Sequence, residues 1–165
     1  MMLNELRTKL SQAGAPYVFF AAGVEDRFLK RIVMAAAGNQ KLGILDGNRM
    51  RSWDEFFSEF SREFAFPDHF GWNMNAFADV MRDLGWIDAV GYVALILNSE
   101  RVLSEEPDGA DVLSEYGDFI GSYWATPIKR GEWFDLDARP FHTILHRKLP
   151  VGSVTRATPL NLSLR

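Results

Sequence analysis

The sequence predicts an α/β fold: a small, mainly parallel sheet of three or four strands packed with helices, preceded by an N-terminal helix-strand-helix extension. Three observations predict it. Short runs of consecutive apolar, strand-forming residues alternate along the chain with amphipathic segments of helical period. With 47% hydrophobic residues and 13 phenylalanines among 165 residues, the chain carries enough apolar surface for a full domain core. The first two apolar runs are joined by a single amphipathic helix, a βαβ pattern that makes the two strands parallel.

The elements follow in order. Residues 2–13 space Leu3, Leu6 and Leu10 at helical intervals, and Gly14 and Pro16 end that helix. Residues 16–22, PYVFFAA, form a buried strand. A helix over 24–37 puts Phe28, Leu29, Ile32, Val33 and Ala36 on one face, with Gly38 placed to end it. Residues 41–46 make the second strand, closed by a turn at Asp46-Gly47-Asn48. Ser52 with Glu55 is a capping box. It opens a helix whose stripe is Trp53, Phe56, Phe57, Phe60 and Phe64, and Pro67 stops anything longer. Asn73 is an N-cap for a helix from Met74 to Leu84, with Met74, Phe77, Met81 and Leu84 inward and Gly85 just past its end. Residues 91–98, GYVALILN, are the third strand. Residues 111–124 are a helix with Val112, Leu113, Tyr116, Phe119, Ile120 and Tyr123 inward. Residues 126–140 have no period and hold Pro127, Gly131 and Pro140; a connection of that length in a compact domain is a candidate functional segment. Residues 141–146 are the last strand. Residues 147–165, with Pro150, Gly152 and Pro159 among Ser and Thr, read as a basic tail that is mobile or loosely packed. The chain thus divides into an extension (1–40), a domain (41–146) and a tail (147–165).

The net charge of −4 conceals an uneven distribution: +2 over 1–40, −10 over 41–146 and +4 over 147–165. An acidic centre repels a polyanion, which argues against a phosphate-binding surface there, and favours a basic protein as partner. The absence of cysteine excludes disulfides, zinc thiolates and thiol nucleophiles. No run approaches the length of a signal peptide or a membrane span, so the expectation is a cytoplasmic protein without a membrane partner. The motifs GxSxG, GxGxxG, HExxH and the Walker loop are missing, and neither catalysis nor a cofactor is expected. His142 and His146 have a metal-ligand spacing, but in a strand that places them roughly 13 Å apart, too far to share an ion.

The informative stretch is the loop Phe66-Pro67-Asp68-His69-Phe70-Gly71-Trp72 and the helix after Asn73. If Met74, Phe77, Met81 and Leu84 face the core, Asn75, Asp79 and Arg82 share another face. Asp79 and Asp83 are like charges one turn apart, and Asp83 opposes the helix dipole, a cost that a purely structural helix has no reason to keep. Trp72 has no obvious core position.

Residues 45–81, LDGNRMRSWDEFFSEFSREFAFPDHFGWNMNAFADVM, resemble the N-terminal part of the barstar family, intracellular ribonuclease inhibitors. Gly47, Arg51, Ser52, Ala65, Pro67, Gly71, Asn73, Ala76 and Asp79 fall on matching residue types without a gap, and the later elements follow the family's order to about residue 146. The resemblance implies that the loop and the following helix plug a ribonuclease active site, with carboxylates standing in for substrate phosphates. It makes Asp79 the carboxylate that faces the nuclease's arginines and histidine, and His69 the stacking aromatic. Asn75 stands where the family has a second aspartate, and Ala78 where it has a large aromatic. The implied partner-binding set is His69, Phe70, Gly71, Trp72, Asn73, Asn75, Ala78, Asp79, Arg82 and Asp83. The implied function is non-catalytic inhibition of, or immunity to, a basic secreted or toxin ribonuclease. The alternative, favoured by Asn75 and Ala78, is an interaction module of the same fold with a non-nuclease partner.

Overall fold

The computed structural model describes residues 3–109, 111–148 and 158–159. The elements are α1 (Leu3–Ser11), β1 (Val18–Ala22), α2 (Asp26–Ala37), β2 (Lys41–Asp46), α3 (Trp53–Phe64), α4 (Met74–Asp83), β3 (Tyr92–Leu97), α5 (Val112–Ala125), β4 (Phe141–Arg147) and the two-residue β5 (Thr158–Pro159). The strands form one sheet in the order β2-β3-β4-β1-β5, parallel throughout. β1 and β2 are parallel, as the connecting helix requires, yet β3 and β4 lie between them. Of the tail, Arg147 continues β4 and Lys148 follows it, Thr158 and Pro159 pair with Phe19 and Phe20, and the rest lies outside the described residues.

Helices cover both faces, and the two-residue period of each strand feeds two cores. Val18, Phe20, Tyr92, Ala94, Ile96, Phe141 and Leu145 point into the core beneath α3, α4 and α5. Phe19, Ala21, Val93, Leu95, Leu97 and Ile144 point into the core beneath α1 and α2. His142 and His146 belong to that second face. His142 lies with its Nε2 2.9 Å from the Gln12 carbonyl and its Nδ1 3.2 Å from that of Pro16, and His146 Nε2 is 2.7 Å from the Val24 carbonyl. Both histidines are therefore engaged by the segment around β1.

Two local expectations are corrected. On α5 the buried stripe is Gly117, Ile120, Gly121 and Trp124, whereas Phe119 is 45% exposed. The glycines decide the rotation: a Cβ on Gly117 would sit 2.6 Å from Val18 Cγ2, and one on Gly121 2.4 Å from Tyr17 Cβ. Only bare backbone fits against the sheet there. At the end of α4 the left-handed residue is Leu84 (φ 45), not Gly85, because the Leu84 side chain is wholly buried and its core contacts offset the backbone strain.

α3 lies along β2, which among the described residues pairs on one side only, with β3. Its carboxylates cover the open side of that strand. The Ile44 N–H donates to Glu63 Oε2 at 3.0 Å and the Asp46 N–H to Glu59 Oε2 at 3.5 Å. Glu59 is almost fully buried and is paired with Arg49 at 3.1 Å and Arg62 at 2.9 Å. Two of the outward backbone donors of β2 thus have charged acceptors, which obstructs pairing of a further strand along that edge.

Candidate functional site: the loop and helix of residues 65 to 91

α3 ends at Ala65 in the left-handed conformation (φ 49), which turns the chain back over the helix it has just left. Four phenylalanines then fix the loop. Phe66 and Phe70 are in ring contact at 4.9 Å, Phe70 packs edge-on to Phe57 at 5.8 Å, and Phe66 meets Phe77 of α4 at 6.1 Å. Phe70 is therefore buried and orients the loop from below. Trp72 follows in a left-handed conformation (φ 52); the residue is 53% exposed and its ring lies 5.2 Å from that of Phe70. Asn73 caps α4: its Oδ1 accepts the Ala76 N–H at 2.9 Å while its Nδ2 donates to the Gly71 carbonyl at 3.0 Å.

These elements bound an open groove of about 360 Å³ lined by His69, Phe70, Gly71, Ala76, Asp79, Val80, Asp83 and Trp86. Five of the expected residues, His69, Phe70, Gly71, Asp79 and Asp83, come together there. Trp72 and Asn73 stand beside it at the start of α4. Asn75 is exposed, and Ala78 and Arg82 lie on the flank of α4 that faces α5. Trp86 was missed by the sequence reading. It forms the end of the groove, and its Nε1 donates to the Phe64 carbonyl at 2.9 Å. The available signal was a large aromatic residue directly after the helix-ending Leu84-Gly85 turn, where a polar residue suffices.

Asp79 and Asp83, like charges one turn apart, each have a local partner. Arg82 ion-pairs with Asp79 at 2.6 Å and donates from Nε to the Ala78 carbonyl at 3.0 Å. Its guanidinium also lies 5.6 Å from the ring centres of both Phe119 and Tyr123 on α5. The outward rotation of Phe119 thus supplies one wall of the cradle that holds Arg82. Asp83 accepts the Gly85 N–H at 3.2 Å and so has a structural role in the turn. Asp79 remains the accessible charge, with 73% of its side chain exposed. An exposed pair of this kind contributes little to stability and is readily exchanged. Its chemistry is that of an anionic acceptor offered to an incoming cation in competition with Arg82. Among the described residues no cluster of His, Asp or Glu could hold a metal ion.

A family model described as Barstar (barnase inhibitor) matches residues 41–138. No curated protein sequence matches the chain. Among solved structures, the Aeropyrum pernix ORC2 protein, determined as ADPNP-ADP complexes, is similar with a TM-score of 0.55 and 15% identity. The likeness covers 88% of this chain but only 40% of that one, and it is a likeness of fold.

Proposed function

The chain belongs to the barstar family, and on that premise we propose that it is a non-catalytic inhibitor or immunity protein that blocks a basic ribonuclease or ribonuclease toxin in the cytoplasm. The observation that carries the reading is the exposed Asp79 carboxylate, held by a rigid helix in a groove between His69 and Trp86. A ribonuclease must be cationic to hold RNA, so its active site attracts this carboxylate as it attracts a phosphate. His69 and Trp72 supply flat surfaces beside it, and the phenylalanines below keep the loop in shape before binding, which lowers the ordering cost.

The test is inhibition of a panel of basic ribonucleases, barnase included, by the intact chain at low and at high salt. Inhibition that weakens with salt and is lost in Asp79→Ala is expected; full nuclease activity with the protein in excess defeats the reading. A second reading has one observation in its favour. With Asn75 uncharged and Asp79 already paired with Arg82, the surface carries less net negative charge than two free aspartates would give it, which suits a non-nuclease partner. Binding that does not respond to salt would favour it.

A further inference from the structure

Of the five tryptophans, Trp53 and Trp124 pack into or against the core, while Trp72, Trp86 and Trp133 are exposed. Trp72 and Trp86 belong to the surface just described. Trp133 does not, and at 93% exposure it is the most exposed large apolar residue among those described.

Its surroundings are not slack. Ile128 and Leu136 form an antiparallel bridge, with N–H···O bonds of 2.8 and 3.1 Å. Inside it, the Asp135 carboxylate accepts the N–H groups of Arg130 and Gly131, both at 2.8 Å, and its own N–H donates to the Glu132 carbonyl at 3.0 Å. These bonds hold the Asp135 carboxyl below its usual range, the Arg130 N–H contributing most. Gly131 supplies the positive φ (74) that the turn requires, and Lys129 is ion-paired with Asp137 across the base. At the tip, Trp133 stands edge-on to Phe134 at 5.6 Å. A polar frame therefore presents an indole to solvent in a fixed loop, when apolar collapse would have buried it.

The segment that follows this hairpin is tied to the chain that leaves the groove. The Arg139 N–H donates to the carbonyl of Trp124, and Arg139 NH1 donates to the Ala89 carbonyl at 3.2 Å, three residues beyond Trp86. The two connections, 84–91 and 126–140, enter neighbouring strands at residues paired in register, Tyr92 and Phe141. We infer that hairpin 128–136 is a second arm of the partner-binding surface, and that Trp133 inserts into an apolar pocket on the same basic protein that α4 engages. The inference rests on the proposed function. The two contacts divide the work: α4 offers charge, which steers and orients, and the hairpin offers a rigid aromatic anchor, the side-chain type that most often dominates an interface.

The experiment measures the Kd of the intact chain and of Trp133→Ala, Trp133→Phe and Asp79→Ala for barnase and for other basic microbial ribonucleases. Because Trp133 touches little of the fold, thermal melting of its variants is expected to be unchanged. Trp133→Ala is expected to weaken binding about 30-fold, with Trp133→Phe between it and the parent. If Asp79→Ala weakens binding and Trp133→Ala stays within twofold of the parent, the arm is overturned and the proposed function stands. If Trp133→Ala weakens binding and Asp79→Ala does not, the two-armed surface is overturned and the hairpin is the contact by itself. Failure of the intact chain to bind any ribonuclease overturns the function and the arm together. Sedimentation over a range of concentrations covers the remaining occupant: a dimer abolished by Trp133→Ala makes a second copy of this chain the resident of that contact, and the inference is lost.

Discussion

Helices α3 and α4 carry the same acidic chemistry and use it in opposite ways. On α3 the carboxylates of Glu59 and Glu63 turn toward the protein, where they accept backbone N–H groups of the edge strand and hold Arg62. On α4 the Asp79 carboxylate turns toward solvent, with one internal cation, itself on a long side chain stacked over two rings. The difference teaches that the −10 of residues 41–146 is not one quantity. Part of it is consumed in closing a β-edge, and only the part without backbone donors is open to a partner. Net charge finds the region; hydrogen-bond bookkeeping finds the site.

The widest separation between the helices is expected from paired alanine substitutions. Asp79→Ala is expected to cost about 2–5 kcal/mol of affinity for a ribonuclease partner, a range set by measured charge pairs in protein complexes, those of the barstar family prominent among them, rather than by this chain. Its folding stability should move by less than about 0.5 kcal/mol, because the pair with Arg82 is exposed. Urea unfolding checks the second half, and a large loss of stability would erase the contrast. Glu59→Ala is expected to do the reverse, costing about 2–3 kcal/mol of stability. That lies below the loss for a fully buried pair because Arg49 and Arg62 keep much of their exposure to water. If Glu59→Ala unfolds at the parent's urea midpoint, the edge is not held by its carboxylate.

Arg82→Ala sharpens the comparison from the other side. Removing the internal competitor should tighten binding of a basic partner by about 1 kcal/mol, mainly through a faster association rate. Weaker binding would show instead that Arg82 itself touches the partner. The smallest effect belongs to the opposite face of the sheet. Burial pushes the His142 pKa down, more than the Gln12 and Pro16 carbonyls beside its ring raise it. The unfolded chain therefore takes up a proton first as pH falls. The contribution of His142 is complete above the ordinary histidine range and declines as pH drops below it. Melts from pH 8 to pH 5 should show a decline that is reduced in His142→Gln, and an unchanged slope would refute this account.

Much of the fold was legible because its signals are local. The Ser52 and Asn73 caps and the positive-φ Gly38 each depend on a few consecutive residues and lie where the pattern put them, although the Glu55 carboxylate accepts the Arg51 N–H and not that of Ser52, so the capping box is only half formed. The order of the strands was not legible, since parallel strands of nearly uniform hydrophobicity carry no label for their neighbours. The rotation of α5 escaped for a related reason: Gly117 and Gly121 add nothing to a hydrophobic stripe, although their missing side chains decide which face meets the sheet. In the candidate site, the loop residues and Asp79 could be read from spacing and resemblance. The i, i+3 spacing of Asp79 and Arg82 was legible too, but the cradle that holds Arg82 was not, because its rings come from a helix some forty residues further along.

The place of β1 sets a condition on how the chain is made. Val18 pairs with Thr143, 125 positions later, so β1 has no neighbour in the sheet until those 125 further residues have been synthesised. At bacterial or eukaryotic elongation rates this leaves Phe19 and Phe20 waiting for about 6–25 s before β4 is available to receive them. Sheet closure is then a late, long-range step, of the kind that slows folding. A nascent chain stalled before residue 141 would expose the apolar strand β1 and an unfilled sheet edge at β3, the two surfaces a chaperone is suited to shield.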